Sequence, residues 1–431
     1  MGIDTVCVFS EEDRGGPWLD LAGRSICIGS AAPRDSYLKS DRIIAAAEVC
    51  GADAVHPGYG FLAENAAFAE KCRACNIEFI GPTADAMRQL GDKAIARDLA
   101  RKAKVPTVPG TEGVLEGEEN ELVAEAEKIG FPLMIKAAAG GGGRGLRIVK
   151  DKGEFLSGIK QARQEAQGAF HRGDVYLEKF IERPRHVEVQ IIGDTQGTIV
   201  HLGERDCTVQ RRYQKLIEES PSPGIDARTR SYLCASAVKL AKTAGYYSAG
   251  TVEFLVDDKG RHYFIEVNTR IQVEHPVTEM VTGMDLIKTQ IRVASGEPLG
   301  FSQRAVEFKG HAIECRINAE DPDNDFRPSP GRIETFRPPG GQGVRIDTYV
   351  HQGVRVSPKY DSLVAKLIVH QKTREEAIRC MLRCLDEFKI EPIKTTIPFH
   401  KKVFSHPDFQ TGAIDTSFVE RKIANQKAVS K

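Results

Sequence analysis

Net charge is missing from this sequence: sixty Lys and Arg balance sixty Asp and Glu over 431 residues. Without a positive field there is no electrostatic case for a general nucleic-acid binder or a membrane-surface binder. No run of ~18 apolar residues, the length needed to span a bilayer, occurs either, so a soluble chain is expected. The first residues, Met1 to Ser10, enter a strand pattern at once, without the basic stretch, apolar stretch and small-residue cleavage site of a secretory signal. Ten cysteines are too dilute for a disulfide scaffold, and Cys7 and Cys27 lie inside apolar runs where Cys behaves as a small hydrophobe. A reducing compartment, the cytoplasm, is expected. Cys72 and Cys75 form a CxxC, but no second pair of ligands follows at the spacing of a structural zinc site.

What is present reads as several units, since 431 residues suffice for two or three domains. From Thr5 to about Gly81, short apolar runs (Val6-Cys-Val-Phe, Ile26-Cys-Ile, Ala54-Val-His, Glu78-Phe-Ile) alternate with the helical stretches Asp41 to Cys50 and Glu64 to Cys75. That alternation predicts an α/β unit with parallel strands and crossover helices. Asp92 to Ala103 reads as a helix that Val105-Pro-Thr-Val-Pro-Gly ends, and a longer α+β region follows, with strands near residues 133–136, 146–149, 175–177, 187–192, 251–256 and 262–267. After Gly310 the sequence becomes strand-rich with turn signals, which predicts an antiparallel third unit. It closes on a helix opened by a Thr373/Glu376 capping box, with Ile378, Met381, Leu382, Leu385 and Phe388 on its apolar face.

Three segments carry chemistry. Gly140 to Gly145 contains GxGxxG, but a strand pattern follows, whereas a dinucleotide fingerprint must open a helix, and no Gly-Lys-Ser or Gly-Lys-Thr closes it as a P-loop. It is either a plain flexible turn or a hairpin loop whose bare N–H groups fold over phosphates, with Lys136 as positive partner; the entropy such a loop costs favours the second. Glu253 and Glu266 are acids inside otherwise apolar strands that can pair around Asp257-Asp-Lys-Gly, and Asn268 follows Glu266 at strand period. These are either solvent-facing acids or hard oxygen donors for Mg²⁺ shared with a substrate phosphate. Finally, Arg270, Gln272 and Glu274 alternate with apolar residues, forming either a salt-bridge row or an anion site with a carboxylate general base.

Taken together, Gly91-Asp-Lys93, Lys136, Glu178-Lys-Phe-Ile, Pro184-Arg-His-Val-Glu-Val-Gln, Glu204-Arg-Asp-Cys-Thr-Val-Gln-Arg-Arg, Lys215 and Glu266-Val-Asn-Thr-Arg-Ile-Gln-Val-Glu-His-Pro-Val-Thr-Glu resemble the biotin carboxylases. His56-Pro-Gly-Tyr-Gly-Phe-Leu-Ala-Glu-Asn and Gly310-His-Ala-Ile-Glu-Cys-Arg-Ile-Asn-Ala-Glu-Asp extend the resemblance over nearly all of residues 1–425. It implies an N-terminal doubly wound unit (1–91), an ATP-grasp domain (92–309) with a lid at about 108–180, and a mostly antiparallel C-terminal domain (310–425). The family's opening strand, glycine-containing turn and helix align ahead of Met1, so a central strand of the first unit is expected to be missing.

By the same resemblance ATP falls to Lys93, Lys136, Gly142, Gly143, Glu178, Lys179, Phe180, Ile181, His186, Gln210, Tyr213, Glu253, Leu255 and Glu266. Two Mg²⁺ or Mn²⁺ ions fall to Glu253, Glu266 and Asn268, and bicarbonate and biotin to Tyr59, Lys215, Arg270, Gln272, Val273 and Arg345. Lys215, Arg270, Glu274 and Arg345 are the implied catalytic residues, with Glu274 as the base and Arg345 steadying the enolate-like biotin. The implied activity is an ATP-dependent carbon–nitrogen ligase that carboxylates biotin from bicarbonate through carboxyphosphate, in an acetyl-CoA-type carboxylase of fatty-acid synthesis. No Ala-Met-Lys-Met biotinyl sequence occurs, so a separate biotin carboxyl carrier protein is expected, with carboxyltransferase partners and a homodimeric state. Two departures stand out: Trp18 with Ala22-Gly-Arg, and Tyr213 where many members have His beside the ribose, which is expected to alter ATP affinity. Other readings are an impaired homologue kept for nucleotide binding or a structural role, and a different ATP-grasp ligase.

Overall fold

The computed structural model describes residues 1–138, 146–170 and 172–423; Gly142 and Gly143 therefore lie outside the described residues. The first unit has four strands: β1 (Val6–Ser10), β2 (Arg24–Gly29), β3 (Ala54–Val55) and β4 (Glu78–Phe79). They form two parallel pairs, β1 with β2 and β3 with β4, and among the described residues no strand joins one pair to the other. Helices α1 (Ser40–Cys50) and α2 (Ala66–Ala74) lie between the strands as the alternation predicts, the second capped by Asn65. Cys72 is buried in α2, and burial pushes its thiol up to about 11, the behaviour of a packed hydrophobe and not of a reactive CxxC.

Two helices, α3 (Ala84–Gly91) and α4 (Lys93–Lys102), lead out of this unit, α4 being capped by the Asp92 side chain. Beyond α5 (Glu119–Ile129), strands β5 (Leu133–Ala137), β6 (Leu146–Val149) and β7 (Val175–Lys179) make an antiparallel sheet in the order β6-β5-β7, backed by α5 and α6 (Lys152–Phe170). This small sheet has a core of its own, built on Leu133, Ile135, Phe155 and Leu177.

Most of the rest is one antiparallel sheet. Its strands are β8 (Arg185–Gly193), β9 (Ile199–Arg211), β10 (Gln214–Ser220), β11 (Ser248–Val256), β12 (His262–Asn268), β13 (His311–Asn318), β14 (Val344–Thr348) and β15 (Leu363–Gln371). The order is β12-β11-β8-β9-β10-β13-β15-β14, so the sheet runs without a break past residue 310. Strand period two explains its layers. Val187, Val189, Val252 and Val267 pack with Leu233, Ala237 and Leu240 of helix α7 (Ala227–Thr243) and with Ala96 and Ala100 of α4. Farther along, Ile313, Cys315, Ile317 and Leu367 pack against the helix Arg374–Glu387, where the Thr373/Glu376 capping box forms and Ile378, Met381 and Leu385 are buried, with Phe388 buried just beyond its end; two short helices, Ile397–Phe404 and Pro407–Gln410, follow it.

The residues between those apolar positions point to the other face, where the short helix α8 (His275–Thr282) covers Ala312 and Ile368. Gly343, at φ +71°, lets the chain enter β14: a Cβ there would meet the His370 carbonyl oxygen at 2.2 Å. Among the described residues no helix is long and apolar enough to cross a membrane.

Candidate active site

Cross-strand register sets three carboxylates in a row. Glu253 on β11 lies opposite Glu266 on β12 and opposite Glu188 on β8, and Glu188 lies opposite Arg205 on β9. Lys215, at the start of β10, projects into this row: its Nζ lies 2.5 Å from Glu188, 2.8 Å from Glu253 and 2.7 Å from Glu274. Burial opposes charge on Lys215, but these three acids overcome it and raise its pKa well above the usual lysine value. Burial likewise opposes ionisation of Glu253, and Lys215 and His186 hold its pKa well below the carboxylate range.

Glu253 is the hub. Besides Lys215, it accepts hydrogen bonds from Asn268 Nδ2 at 2.8 Å and Gln272 Nε2 at 2.9 Å, and its second oxygen lies 2.7 Å from His186 Nε2. Burial disfavours a charged His186, yet Glu253 outweighs it and raises the imidazole's pKa. Leu255, two residues beyond Glu253, lies opposite His186 and adds an apolar patch beside these charges. Beneath the hub, the fully buried Arg205 donates to Glu188 at 2.5 Å, Gln190 at 2.6 Å, Thr278 at 3.0 Å, Thr251 at 3.1 Å and Gln272 at 3.0 Å. A buried guanidinium is tolerable only with its N–H groups so engaged.

After β12 the row of Arg270, Gln272 and Glu274 is not a strand, and the three side chains diverge. Arg270 donates from Nε to Glu64 of the first unit at 2.9 Å and from Nη2 to Asn268 at 3.4 Å, whereas Gln272 and Glu274 turn inward to Glu253 and Lys215. Burial raises the proton affinity of Glu274, but Lys215, Arg316 and Arg205 outweigh it and hold its pKa below the usual range. Arg316 on β13 reaches Glu274 at 2.9 Å while its Nε donates to Glu218 at 2.6 Å.

Arg345 lies elsewhere on the same face. It grips Asp347 through two nitrogens at 2.8 and 2.9 Å and Glu279 at 2.6 Å, and not Arg270's or Glu274's neighbours. A chain of contacts still links it to the centre: Lys366 lies 3.4 Å from Asp347, donates to the Val273 carbonyl at 2.9 Å, and sits 5.9 Å from the Tyr59 ring.

A second group of charges borders β12. Lys93, at the start of α4, lies 3.3 Å from Glu266. Lys136 on β5 is 2.5 Å from Glu178 on β7, whose other oxygen faces the buried Arg97 at 3.6 Å. Lys179 is tied to the carbonyls of Gly130 and Phe131, and Phe180 and Ile181 continue half-buried from β7. Gln210 is buried opposite Lys215, and Tyr213 sits half-exposed at the tip of the β9–β10 hairpin with positive φ.

Oxygens of Glu253 and Glu266 on one face, with Asn268 at hydrogen-bond distance, make a hard donor set that suits Mg²⁺. His186, Glu188 and Glu253 also place one candidate ligand atom each within 4.8 Å of one another. Sequence reasoning missed Glu188, Arg205 and Arg316. Glu188 carries the signal that revealed Glu253, an acid between valines in a strand; the arginines carry none until the strands are paired.

The large antiparallel sheet and the small three-stranded sheet, with charged groups at Lys215 on the first and Lys136 on the second, define an ATP-grasp ligase. Residues 92–302 match the ATP-binding domain of the carbamoyl-phosphate synthase L chain, residues 1–87 the biotin carboxylase N-terminal domain and residues 314–421 the biotin carboxylase C-terminal domain. Biotin carboxylase 1 of Bacillus subtilis is 53% identical over 421 residues, covering 97% of this chain and 93% of that protein. A pyruvate carboxylase component of Methanothermobacter thermautotrophicus is 48% identical, covering 97% and 85%. A Campylobacter jejuni biotin carboxylase solved as a β,γ-ATP complex superposes with a TM-score of 0.95 at 48% identity, covering 98% and 94%. The biotin carboxylase domain of Hydrogenobacter thermophilus 2-oxoglutarate carboxylase, solved with MgADP, ADP and bicarbonate, gives 0.93 at 47%, covering 97% and 92%. The chain belongs to the biotin carboxylase family and is an ATP-grasp enzyme.

Proposed function

We propose that this chain carboxylates biotin on a separate carrier polypeptide, using ATP and bicarbonate, as the first half-reaction of an acetyl-CoA-type carboxylase in the cytoplasm. A bicarbonate oxygen attacks the γ-phosphorus of ATP, the bond to ADP breaks, and carboxyphosphate forms. It splits to CO₂ and phosphate, the phosphate takes the N1′ proton of biotin, and N1′ attacks CO₂. Glu274 takes the proton that bicarbonate gives up, Lys215 and Arg270 hold the anion with Gln272 and the Val273 peptide, and Arg316 keeps Glu274 in place. Lys93 and Lys136 face the phosphates, His186, Leu255, Gln210 and Tyr213 the nucleoside, and Tyr59 the biotin ring.

Magnesium held by Glu253, Glu266 and Asn268 would neutralise charge on the transferring phosphoryl group. The segment 108–180 serves as the lid that shields carboxyphosphate from water, within domains at 1–91, 92–309 and 310–425. Carrier, carboxyltransferase and a second copy of the chain complete the assembly. The observation that supports this reading best is the convergence of Glu188, Glu253 and Glu274 on Lys215, acids and a cation in one buried centre. Its test is ADP release: turnover requiring bicarbonate and rising with free biotin is expected, and folded protein that hydrolyses ATP regardless of bicarbonate would refute it.

A further inference from the structure

Beside this centre lies an acid pair that the chemistry above does not use. Glu218 on β10 and Glu314 on β13 are cross-strand partners, so their carboxyls lie side by side, and both residues are fully buried. Glu218 Oε1 accepts the Nε hydrogen bond of Arg316, while its Oε2 and both oxygens of Glu314 have no hydrogen-bond partner among the described residues. A carboxylate ion deep in a protein needs donors, and Glu314 has none there. Two adjacent buried carboxyls do not both ionise.

We propose that Glu218 and Glu314 share one proton, resident on Glu314, and that the single negative charge left on Glu218 is the positioning group that holds Arg316 against Glu274. The role in turnover rests on the biotin carboxylase reading given above; the shared proton does not. Arg316 is a fork with one prong on Glu218 and the other on Glu274. A second negative charge at Glu314 would compete for the same guanidinium and loosen its grip on the base.

The charged and titratable groups around the pair are consistent with one proton. From β15 comes Lys366, from β10 Lys215, from β9 Cys207, from the approach to α8 Glu274, and from β13 itself Arg316. His275 on α8 is held below the usual histidine range, at about 3, by burial and by Lys366, so it adds no positive charge near neutrality. Lys366 spends its ammonium on the Val273 carbonyl and Asp347. Burial pushes both carboxyls up, Glu314 well above the carboxyl range against Lys366, and Glu218 against the opposing pull of the Arg316 guanidinium that it touches.

Infrared difference spectroscopy on the full chain tests the proton directly. Wild type minus Glu314→Gln at neutral pH is expected to show the carbonyl stretch of a protonated carboxylic acid; absence of that band overturns the shared proton, whether or not the protein turns over. Steady-state kinetics test the positioning role. Glu218→Gln is expected to lower kcat/KM for bicarbonate by about tenfold or more and to displace the pH profile. Glu218→Asp, which keeps the charge but shortens the reach, is expected to recover part of the rate. An unchanged profile in Glu218→Gln overturns the role, and should that variant misfold, the alkaline limb of Glu314→Gln decides it. In Glu314→Gln, which cannot ionise, the alkaline loss of activity due to this pair is expected to vanish; an alkaline limb identical to wild type counts against the proposal.

Discussion

The first unit and the large sheet are built on opposite terms. In β2 and β3 most residues are exposed or half-exposed, and the two parallel pairs stand apart, whereas β8 and β11 are buried almost along their length and have neighbours on both sides. The sheet can therefore hold charges that the first unit could not: Glu188, Glu253 and Arg205 survive burial because register places each beside its partner. The first unit contributes reach and not rigidity, offering Tyr59 and Glu64 at the rim of a centre built elsewhere.

The sharpest way to break this contrast is Lys215→Met. It takes from three buried carboxylates the cation they share, and unfolding experiments should show a loss of about 3–5 kcal/mol together with abolished turnover; a stable, active variant would mean the centre does not depend on its cation. Next in size is the contest of two arginines on the same face. Arg316→Gln is expected to cost about a hundredfold or more in kcat/KM, by loss of a charge-assisted contact to Glu274, and Arg345→Gln distinctly less, since Arg345 is linked to the centre at one remove, through Asp347 and Lys366 and through Glu279 and His275. Equal losses would erase that distinction.

Acid sharpens the comparison from the stability side. Burial opposes ionisation of Glu219, but hydrogen bonds from His311 and Arg374 prevail and hold its pKa at about 2, below its ordinary 4.5. A carboxylate depressed in the folded state contributes stability above pH ~4.5, and loses it as pH falls toward ~2, a change on the order of 3 kcal/mol. Acid unfolding of Glu219→Gln should be less steep in that window. The smallest effect belongs to the first unit: Trp18→Ala, which removes an edge contact to Tyr349, should cost about 1 kcal/mol and leave turnover unchanged.

Legibility in the sequence follows the same division. The hairpin acids were readable because strand period two places an acid between apolar neighbours, and β11 and β12 are adjacent in sequence as well as in space. The capping box, the crossover helices and the lid-side strands were local patterns too. Arg316 and Glu188 depend on β13 meeting β10 and β8 meeting β11, pairings between segments far apart in sequence. The row from Arg270 to Glu274 misled for a related reason: alternation alone implies a strand, but the chain leaves the sheet at Asn268 and each side chain goes to its own partner.

The central claim is that Glu274 and Lys215 bring bicarbonate to the γ-phosphate. Supplying bicarbonate enriched in heavy oxygen and weighing the released phosphate tests it most directly. Transfer of one labelled oxygen into phosphate by the wild-type chain, and its loss in Glu274→Gln, is the predicted result; unlabelled phosphate from an active, folded wild-type enzyme would contradict it.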